Sequence, residues 1–258
     1  MKKLLLTFVI VLLSVQAAFA VSDSLFQVSL LQSMLQGDYD GFITVKDLKQ
    51  YGDTGIGTFH GVNGEMIFLD GTVYRALWDG SIEIVGDDEV IPFSNVTFFD
   101  ADIEVANVSA PTLEDLKVIL NSVAASNGQN QFYVAKLKGS FPLMFVRSEL
   151  QQKKPYIPLA EAMKTDQREF TYNDVTGTVI ALYCPSYMSS LNTPGWHLHF
   201  LSDDGQKGGH ILEMSIGEAS LAMDIISEFA LIVPNRDSFN EKNLGIDMRE
   251  EIRQVEVK

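Results

Sequence analysis

Helical spacing of apolar residues, or a capping sequence, predicts helices in four parts of the chain. These are residues 23–36, 44–48, 111–125 and 157–165. The first has apolar side chains three or four positions apart and is followed by Gly37, a residue that commonly ends helices. All four patterns are short, so helices are expected to flank the fold.

Short runs rich in β-branched and aromatic residues fill most of the remaining chain and predict strands. Between residues 55 and 107 they are separated by the turn pairs Asn63-Gly64, Asp70-Gly71 and Asp79-Gly80. Later strands are predicted at residues 132–138, 144–148, 175–183, 195–201, 209–215 and 228–233. Residues 244–258 form a polar tail with alternating apolar positions at its end.

This order of elements predicts an α+β fold with two mixed β-sheet domains and a few flanking helices, and it does not fit a parallel βαβ array. The domain boundary is expected near Gln151. Residues 21–150 would form an N-terminal mixed-sheet domain. Residues 151–258 would form a β-rich C-terminal domain with a returning tail.

The first twenty residues have the pattern of a signal peptide. Two lysines precede an apolar run that is short for a membrane span of roughly 20 residues, and Ala18-Phe19-Ala20 then offers a cleavage site. We therefore expect a mature chain that starts at Val21 and is secreted or periplasmic, without stable membrane association after cleavage.

Charge and cysteine content restrict the partners and the chemistry. The net charge of −15 disfavours binding to nucleic acid and to anionic membranes. A small anionic substrate would therefore need a local positive group or a metal ion. The single cysteine, Cys184, lies in an apolar strand pattern and is expected to be a buried, inert thiol without a disulfide partner.

Three of the four histidines lie close together in the sequence, at His197, His199 and His210. On a strand, residues two positions apart point to the same side, so His197 and His199 should face together. Asp203-Asp204-Gly205 predicts a turn, and a returning antiparallel strand would bring His210 beside that pair. Three converging imidazoles are typical of a catalytic zinc site, although iron, copper and nickel also bind imidazole. The fourth histidine, His60, is expected in a solvated loop.

Two sets of motifs resemble the α-acetolactate decarboxylase family. In the first half they are residues 52–59 (GDTGIGTF), residues 64–71 (GEMIFLDG) and Tyr74, followed by a Pro92-Phe93 segment. In the second half they are residues 175–178 (VTGT), 194–200 (PGWHLHF) and 203–210. The likeness covers most of the chain after the signal peptide, and Trp196 stands where many members have tyrosine.

The resemblance implies a role for each matching residue. His197, His199 and His210 would bind Zn²⁺ in the second domain, facing the interdomain cleft. Glu65 would be the active-site glutamate from the first domain, and Arg147 would bind the substrate carboxylate. Thr58 would line the pocket. Glu256 would be the glutamate that the C-terminal tail returns to the site, and the nearby Glu250 and Glu251 are alternative candidates for this role.

The family also implies a reaction, the zinc-dependent decarboxylation of 2-acetolactate to acetoin and carbon dioxide. Zinc would chelate the hydroxyl and ketone of the substrate and stabilise an enediolate, so no thiamine or pyridoxal cofactor is expected. Glu65 or Glu256 would then deliver a proton to one face of C2. The family further suggests a homodimer.

Two other functions are compatible with the histidines alone. A secreted zinc hydrolase or hydratase would use the same three ligands, but it would give no role to Arg147 and the glutamates. A non-catalytic protein that binds a metal or a small molecule would keep the histidines without needing Arg147 or Glu65. Release of carbon dioxide from acetolactate distinguishes the decarboxylase from both.

Overall fold

Fourteen strands and six α-helices make up residues 23–256, the part of the chain that this computed structural model describes. The strands are β1 Ser24–Val28, β2 Ile43–Thr44, β3 Thr54–Thr58, β4 Glu65–Leu69, β5 Thr72–Ala76, β6 Ile82–Ile84, β7 Val90–Ile91, β8 Phe93–Thr97, β9 Ile103–Ala110, β10 Phe132–Glu149, β11 Gln167–Cys184, β12 Gly195–Ser202, β13 Gly208–Ile226 and β14 Glu228–Ile232. The helices are α1 Leu31–Leu35, α2 Val45–Leu48, α3 Leu113–Asn127, α4 Leu159–Asp166, α5 Asp237–Asn240 and α6 Arg249–Glu256. The predicted signal peptide lies outside the described residues.

The first sheet has seven strands in the order β14–β1–β8–β3–β4–β5–β6. Its pairs are antiparallel except for β1 and β14, which run parallel. Residues Leu25 to Val28 of β1 are all buried, because this strand is covered on both faces. The mixed sheet predicted for the first part of the chain is therefore present, although its last strand comes from residues near the C-terminus.

The second sheet has the order β10–β11–β12–β13–β9, and β10 also pairs with β13. This extra pairing brings β10, β11, β12 and β13 into a closed arrangement in which both neighbours of β10 are long antiparallel strands. The helix α3 packs on this sheet through Leu113, Leu116, Leu120 and Ala124, all of which are buried. Its amino-terminal end is capped by the Thr112 hydroxyl, which accepts a hydrogen bond from the backbone N–H of Asp115.

Three helices that are distant in sequence, α1, α4 and α6, pack together. Their shared apolar cluster contains Leu31 and Met34 of α1, Leu159 of α4, and Ile252 and Val255 of α6. The buried side chains of α6 are three residues apart, which is helical spacing. The alternation predicted at the end of the tail is therefore wrong, because this segment is a helix with one buried face.

Two other predictions also need correction. Residues 23–36 contain the strand β1 and then the short helix α1, not one helix, because the double-sided burial of β1 removes the alternation that marks a strand. The predicted strands at 132–138 and 144–148 are one continuous strand, β10. The helices predicted near 44–48, 111–125 and 157–165 are present as α2, α3 and α4.

The change from one sheet to the other does not fall at Gln151. The strands β9 and β10, which precede that residue, belong to the second sheet, and β14 returns to the first. Such exchange of strands depends on pairing between distant segments, which local patterns do not specify.

Cys184 is buried, and burial raises the pKa of its thiol. Among residues 23–256, no helix has the length and apolar character needed to cross a membrane.

Candidate metal centre and active site

The histidines His197, His199 and His210 come together on two neighbouring strands of the second sheet. His197 and His199 lie two residues apart on β12, so their side chains point to the same face. His199 is directly opposite His210 of β13. The returning strand predicted from the sequence is thus confirmed, and it places all three imidazoles on one side of the sheet.

The ring nitrogens of these histidines converge on one point. His197 Nε2 lies 3.1 Å from His199 Nε2 and 2.9 Å from His210 Nδ1. One ligand atom from each residue lies within 4.8 Å of the others. Metal–nitrogen bonds of about 2.1 Å at tetrahedral angles separate two nitrogens by roughly 3.4 Å. The donor set therefore fits one divalent ion and leaves room for further ligands.

The surroundings keep the three imidazoles neutral, which is the form that binds metal. Burial and the positive charge of Arg147 lower the pKa of His197 to about 3. Burial likewise holds the pKa of His199 and His210 well below the usual value of 6.5. The Nδ1–H of His199 donates to the carbonyl oxygen of Met66 at 2.7 Å, so the lone pair of Nε2 points toward the other histidines.

Arg147 approaches this centre from the adjacent strand β10. It lies opposite His210, because the register between β10 and β13 shifts by one residue after Phe145. The extra residue is Leu212 of β13. This part of β13 requires a glycine at position 209. The φ of Gly209 is +142°, and a Cβ atom at this position would lie 2.6 Å from the carbonyl oxygen of Arg147.

Thr58 and Glu65 reach the centre from the first sheet, where they are cross-strand neighbours on β3 and β4. Both are buried, and the Thr58 hydroxyl donates to the carbonyl oxygen of Gly64 at 2.7 Å. The Oε2 atom of Glu65 lies 3.4 Å from His199 Nε2. The two sheets therefore both supply polar groups to the same centre.

A cavity connects these groups, and its remaining wall is mostly apolar. His197, His210, Thr58, Glu65 and Arg147 line its polar end together with Glu149. The apolar wall comes from the helices α1, α4 and α6 and the strands β3 and β8, through Leu31, Met34, Ile56, Phe93, Leu159, Met163 and Val255. A small ligand with one polar, anionic end and a methyl-bearing body suits such a cavity.

Most of the predicted site residues line this cavity. Glu256 is the last residue of α6, and its side chain lies outside the part that the structure describes, although its neighbour Val255 lines the wall. His60 accepts a hydrogen bond from the backbone N–H of Gly41 and does not line the cavity. Sequence reasoning missed Glu149, which could have been found as a charge two residues after Arg147 on the same strand face.

The fold and the site define an α+β protein with a buried three-histidine centre between two sheets. The family model described as alpha-acetolactate decarboxylase matches residues 25–246. The alpha-acetolactate decarboxylase of Methanosarcina mazei is 38% identical over 235 residues, which are 91% of this chain and 81% of the relative. The enzyme of the same name from Bacillus subtilis is 34% identical over 222 residues, 86% of each chain.

Solved structures agree with these sequence matches. The crystal structure of alpha-acetolactate decarboxylase from Bacillus subtilis superposes with a TM-score of 0.87 at 33% identity, covering 91% of this chain and all of that one. A Staphylococcus aureus protein of unknown function, described as similar to alpha-acetolactate decarboxylase, superposes with a TM-score of 0.83 at 27% identity, with 90% of this chain covered. The chain therefore belongs to the α-acetolactate decarboxylase family and is a carboxy-lyase.

Proposed function

We propose that this protein catalyses the zinc-dependent decarboxylation of 2-acetolactate to acetoin and carbon dioxide. The observation that supports this most strongly is the shared cavity, where a buried arginine and a buried glutamate lie beside two histidines of the three-histidine cluster. A metal hydrolase would use the histidines but would give Arg147 no role. The arginine gives the cavity a specific group for a carboxylate.

Arg147 would bind the carboxylate that is lost. Its side chain is 7% exposed, so a bound anion would interact with it in a medium that screens charge far less than water does. A planar guanidinium can hold both carboxylate oxygens and thereby fix the C1–C2 bond relative to the neighbouring ketone. This alignment allows the electrons of the breaking bond to flow toward the ketone oxygen.

The histidines would hold the ion that assists this electron flow. When bound at His197, His199 and His210, Zn²⁺ supplies a Lewis acid that favours negative charge on the ketone and hydroxyl oxygens of the substrate. The protein contributes neutral ligands, and the Met66 carbonyl fixes the orientation of the His199 ring. The choice of zinc rests on the three-imidazole donor set.

A carboxyl group must then deliver a proton to C2. Glu65 supports this role by its position, since its Oε2 atom is 3.4 Å from a ligand nitrogen and its side chain lines the cavity. Glu256, at the end of α6, is the second candidate. A proton donor fixed on one side of the cavity would give one enantiomer of acetoin.

The test is to incubate the protein spanning residues 21–258 with racemic acetolactate and measure acetoin and carbon dioxide together. Equal amounts of both products support the proposal, and chiral analysis of acetoin tests the single proton donor. Ester hydrolysis and carbon dioxide hydration by the same zinc-loaded sample, without acetoin formation, would instead support the hydrolase or hydratase alternative. Zinc binding without any turnover would support a binding protein.

The residues outside the site lead to two further proposals. The signal-peptide pattern of residues 1–20 supports secretion or a periplasmic location of the mature chain. Fractionation of cells that express the full chain tests the location. We also propose a homodimer, which light scattering of the purified protein tests directly.

A further inference from the structure

Glu149 is a second buried charge at the end of the strand that carries Arg147. The two residues lie two positions apart on β10 and therefore point to the same face. Their side chains are only 8% and 7% exposed, and Glu149 Oε1 lies 3.3 Å from Arg147 Nε. Both line the cavity together with His197 and His210.

The backbone between them is fixed in place. Ser148 points to the opposite side, and its hydroxyl donates to the carbonyl oxygen of Ala76 at 2.7 Å, which ties β10 to the first sheet. Both neighbouring strands also hold this end of β10, since Glu149 pairs with Gln167 and Arg147 pairs with His210. The carboxylate of Glu149 thus sits on a rigid support beside the guanidinium.

The contact leaves one edge of the guanidinium available. Glu149 approaches Arg147 from the Nε side as an ion pair, without a hydrogen bond at Nε, and among the side chains of residues 23–255 no hydrogen-bond acceptor holds either Nη atom of Arg147. Two Nη donors in one plane match the two oxygens of a carboxylate. A buried arginine without a nearby anion would be costly, so Glu149 also balances its charge while the cavity holds no substrate.

We propose that Glu149 is a positioning residue for substrate binding. It holds Arg147 by its Nε side and thereby directs the Nη edge toward the carboxylate of the ligand. Among the side chains of residues 23–255, Glu65 is the other carboxylate that lines the cavity, and without Glu149 it would attract the guanidinium. This inference rests on the proposed function in one respect only, that the ligand carries a carboxylate.

The test compares two ligands by calorimetric titration of the zinc-loaded protein. One is 2,3-dihydroxy-2-methylbutanoate, which is acetolactate with its ketone reduced and therefore cannot lose carbon dioxide in this way. The other is acetoin, which lacks the carboxylate. Glu149→Gln should weaken binding of the dihydroxy acid about tenfold, which is about 1.4 kcal/mol, and leave acetoin binding within about twofold. Glu149→Asp should recover part of the loss, and the exposed Glu161→Gln should bind both ligands as the wild type does.

A double-mutant cycle separates positioning from a general structural effect. In the background of Arg147→Ala, Glu149→Gln should cause no further loss of affinity for the dihydroxy acid. The inference is overturned if Glu149→Gln binds this acid like the wild type, if acetoin binding falls equally, or if the tenfold loss persists without Arg147. It is also overturned if the wild type does not bind the acid.

The same samples distinguish this inference from the proposed function. A wild type that binds the dihydroxy acid in a Glu149-dependent manner but forms no acetoin from acetolactate contradicts the decarboxylase proposal and supports the role of Glu149. A wild type that forms acetoin, with acid binding unchanged in Glu149→Gln, contradicts the role of Glu149 alone.

Discussion

Arg147 on β10 lies directly opposite His210 on β13, and a one-residue bulge in β13 creates this pairing. If Leu212 were paired in the regular register that β10 and β13 keep up to Phe145, Arg147 would face Ile211, whose side chain points away from the cavity side. The carboxylate-binding group and the histidine centre are therefore joined by the register of two long strands.

The first prediction concerns the metal ligands. His210→Ala should reduce bound zinc from about one ion per chain to a small fraction and lower the rate of acetoin formation by at least about 100-fold. The fold should persist, because the surrounding strands are paired along their lengths. Elemental analysis after dialysis measures the metal, and His60→Ala, outside the cavity, should retain it. Full zinc occupancy in His210→Ala would contradict the assignment.

The second prediction concerns the arginine. Arg147→Ala should lower kcat/KM for acetolactate by about 10²- to 10³-fold, because a buried anion would lose its counter-charge and its alignment. Arg147→Lys should recover little, since an ammonium group cannot replace a planar pair of donors. Steady-state kinetics measure both. A variant at the exposed Arg168 serves as the control, and equal losses there would argue against a specific role.

The third prediction concerns Gly209, the residue before His210. Gly209→Ala should weaken zinc binding and destabilise the protein by about 1–3 kcal/mol, because its φ of +142° and the Arg147 carbonyl oxygen leave no room for Cβ. Gly205→Ala is the matched control, since it also has a positive φ, +65°, but no atom within 4 Å of the added Cβ. Denaturant unfolding and zinc titration compare the two. Equal zinc affinity in both variants would count against the close approach as a feature of the site.

The fourth prediction concerns pH. Burial, together with the nearby carboxylates Asp102, Asp23 and Asp100, raises the pKa of Asp224 from 3.8 to about 7. Between these two values the folded state binds more protons than the unfolded state, so the contribution of this group to stability falls as pH rises. Asp224→Asn should therefore stabilise the protein by about 1–3 kcal/mol at pH 8 and have little effect at pH 4.

Denaturant unfolding at both pH values measures this effect. The exposed Asp88→Asn removes the same negative charge and should show no comparable difference between pH 4 and pH 8. A destabilised Asp224→Asn at pH 8 would mean that the ionised carboxylate is favoured in the folded protein, contrary to the expected direction.

The local sequence pattern was sufficient to predict that the three histidines lie together. The two-residue spacing of His197 and His199 and the turn before His210 determine which side chains face together, and all of this is decided within about a dozen residues. The helices α2 and α3 were predictable for a similar reason, because Thr44 and Thr112 cap them.

Features that depend on distant segments were not predictable in this way. The strand β1 lies between β14 and β8, so it is buried on both faces and shows no alternation. The helix α6 has a buried face because α1 and α4, which are distant in sequence, pack against it. The bulge at Leu212 and the contact between Arg147 and Glu149 likewise depend on the register of paired strands.

The most direct test of the account is metal removal followed by stepwise addition of zinc, with acetoin formation from acetolactate measured at each step. Activity should disappear with the metal, return in proportion to bound zinc and reach its maximum near one ion per chain. Full activity in protein that elemental analysis shows to be free of metal would contradict it.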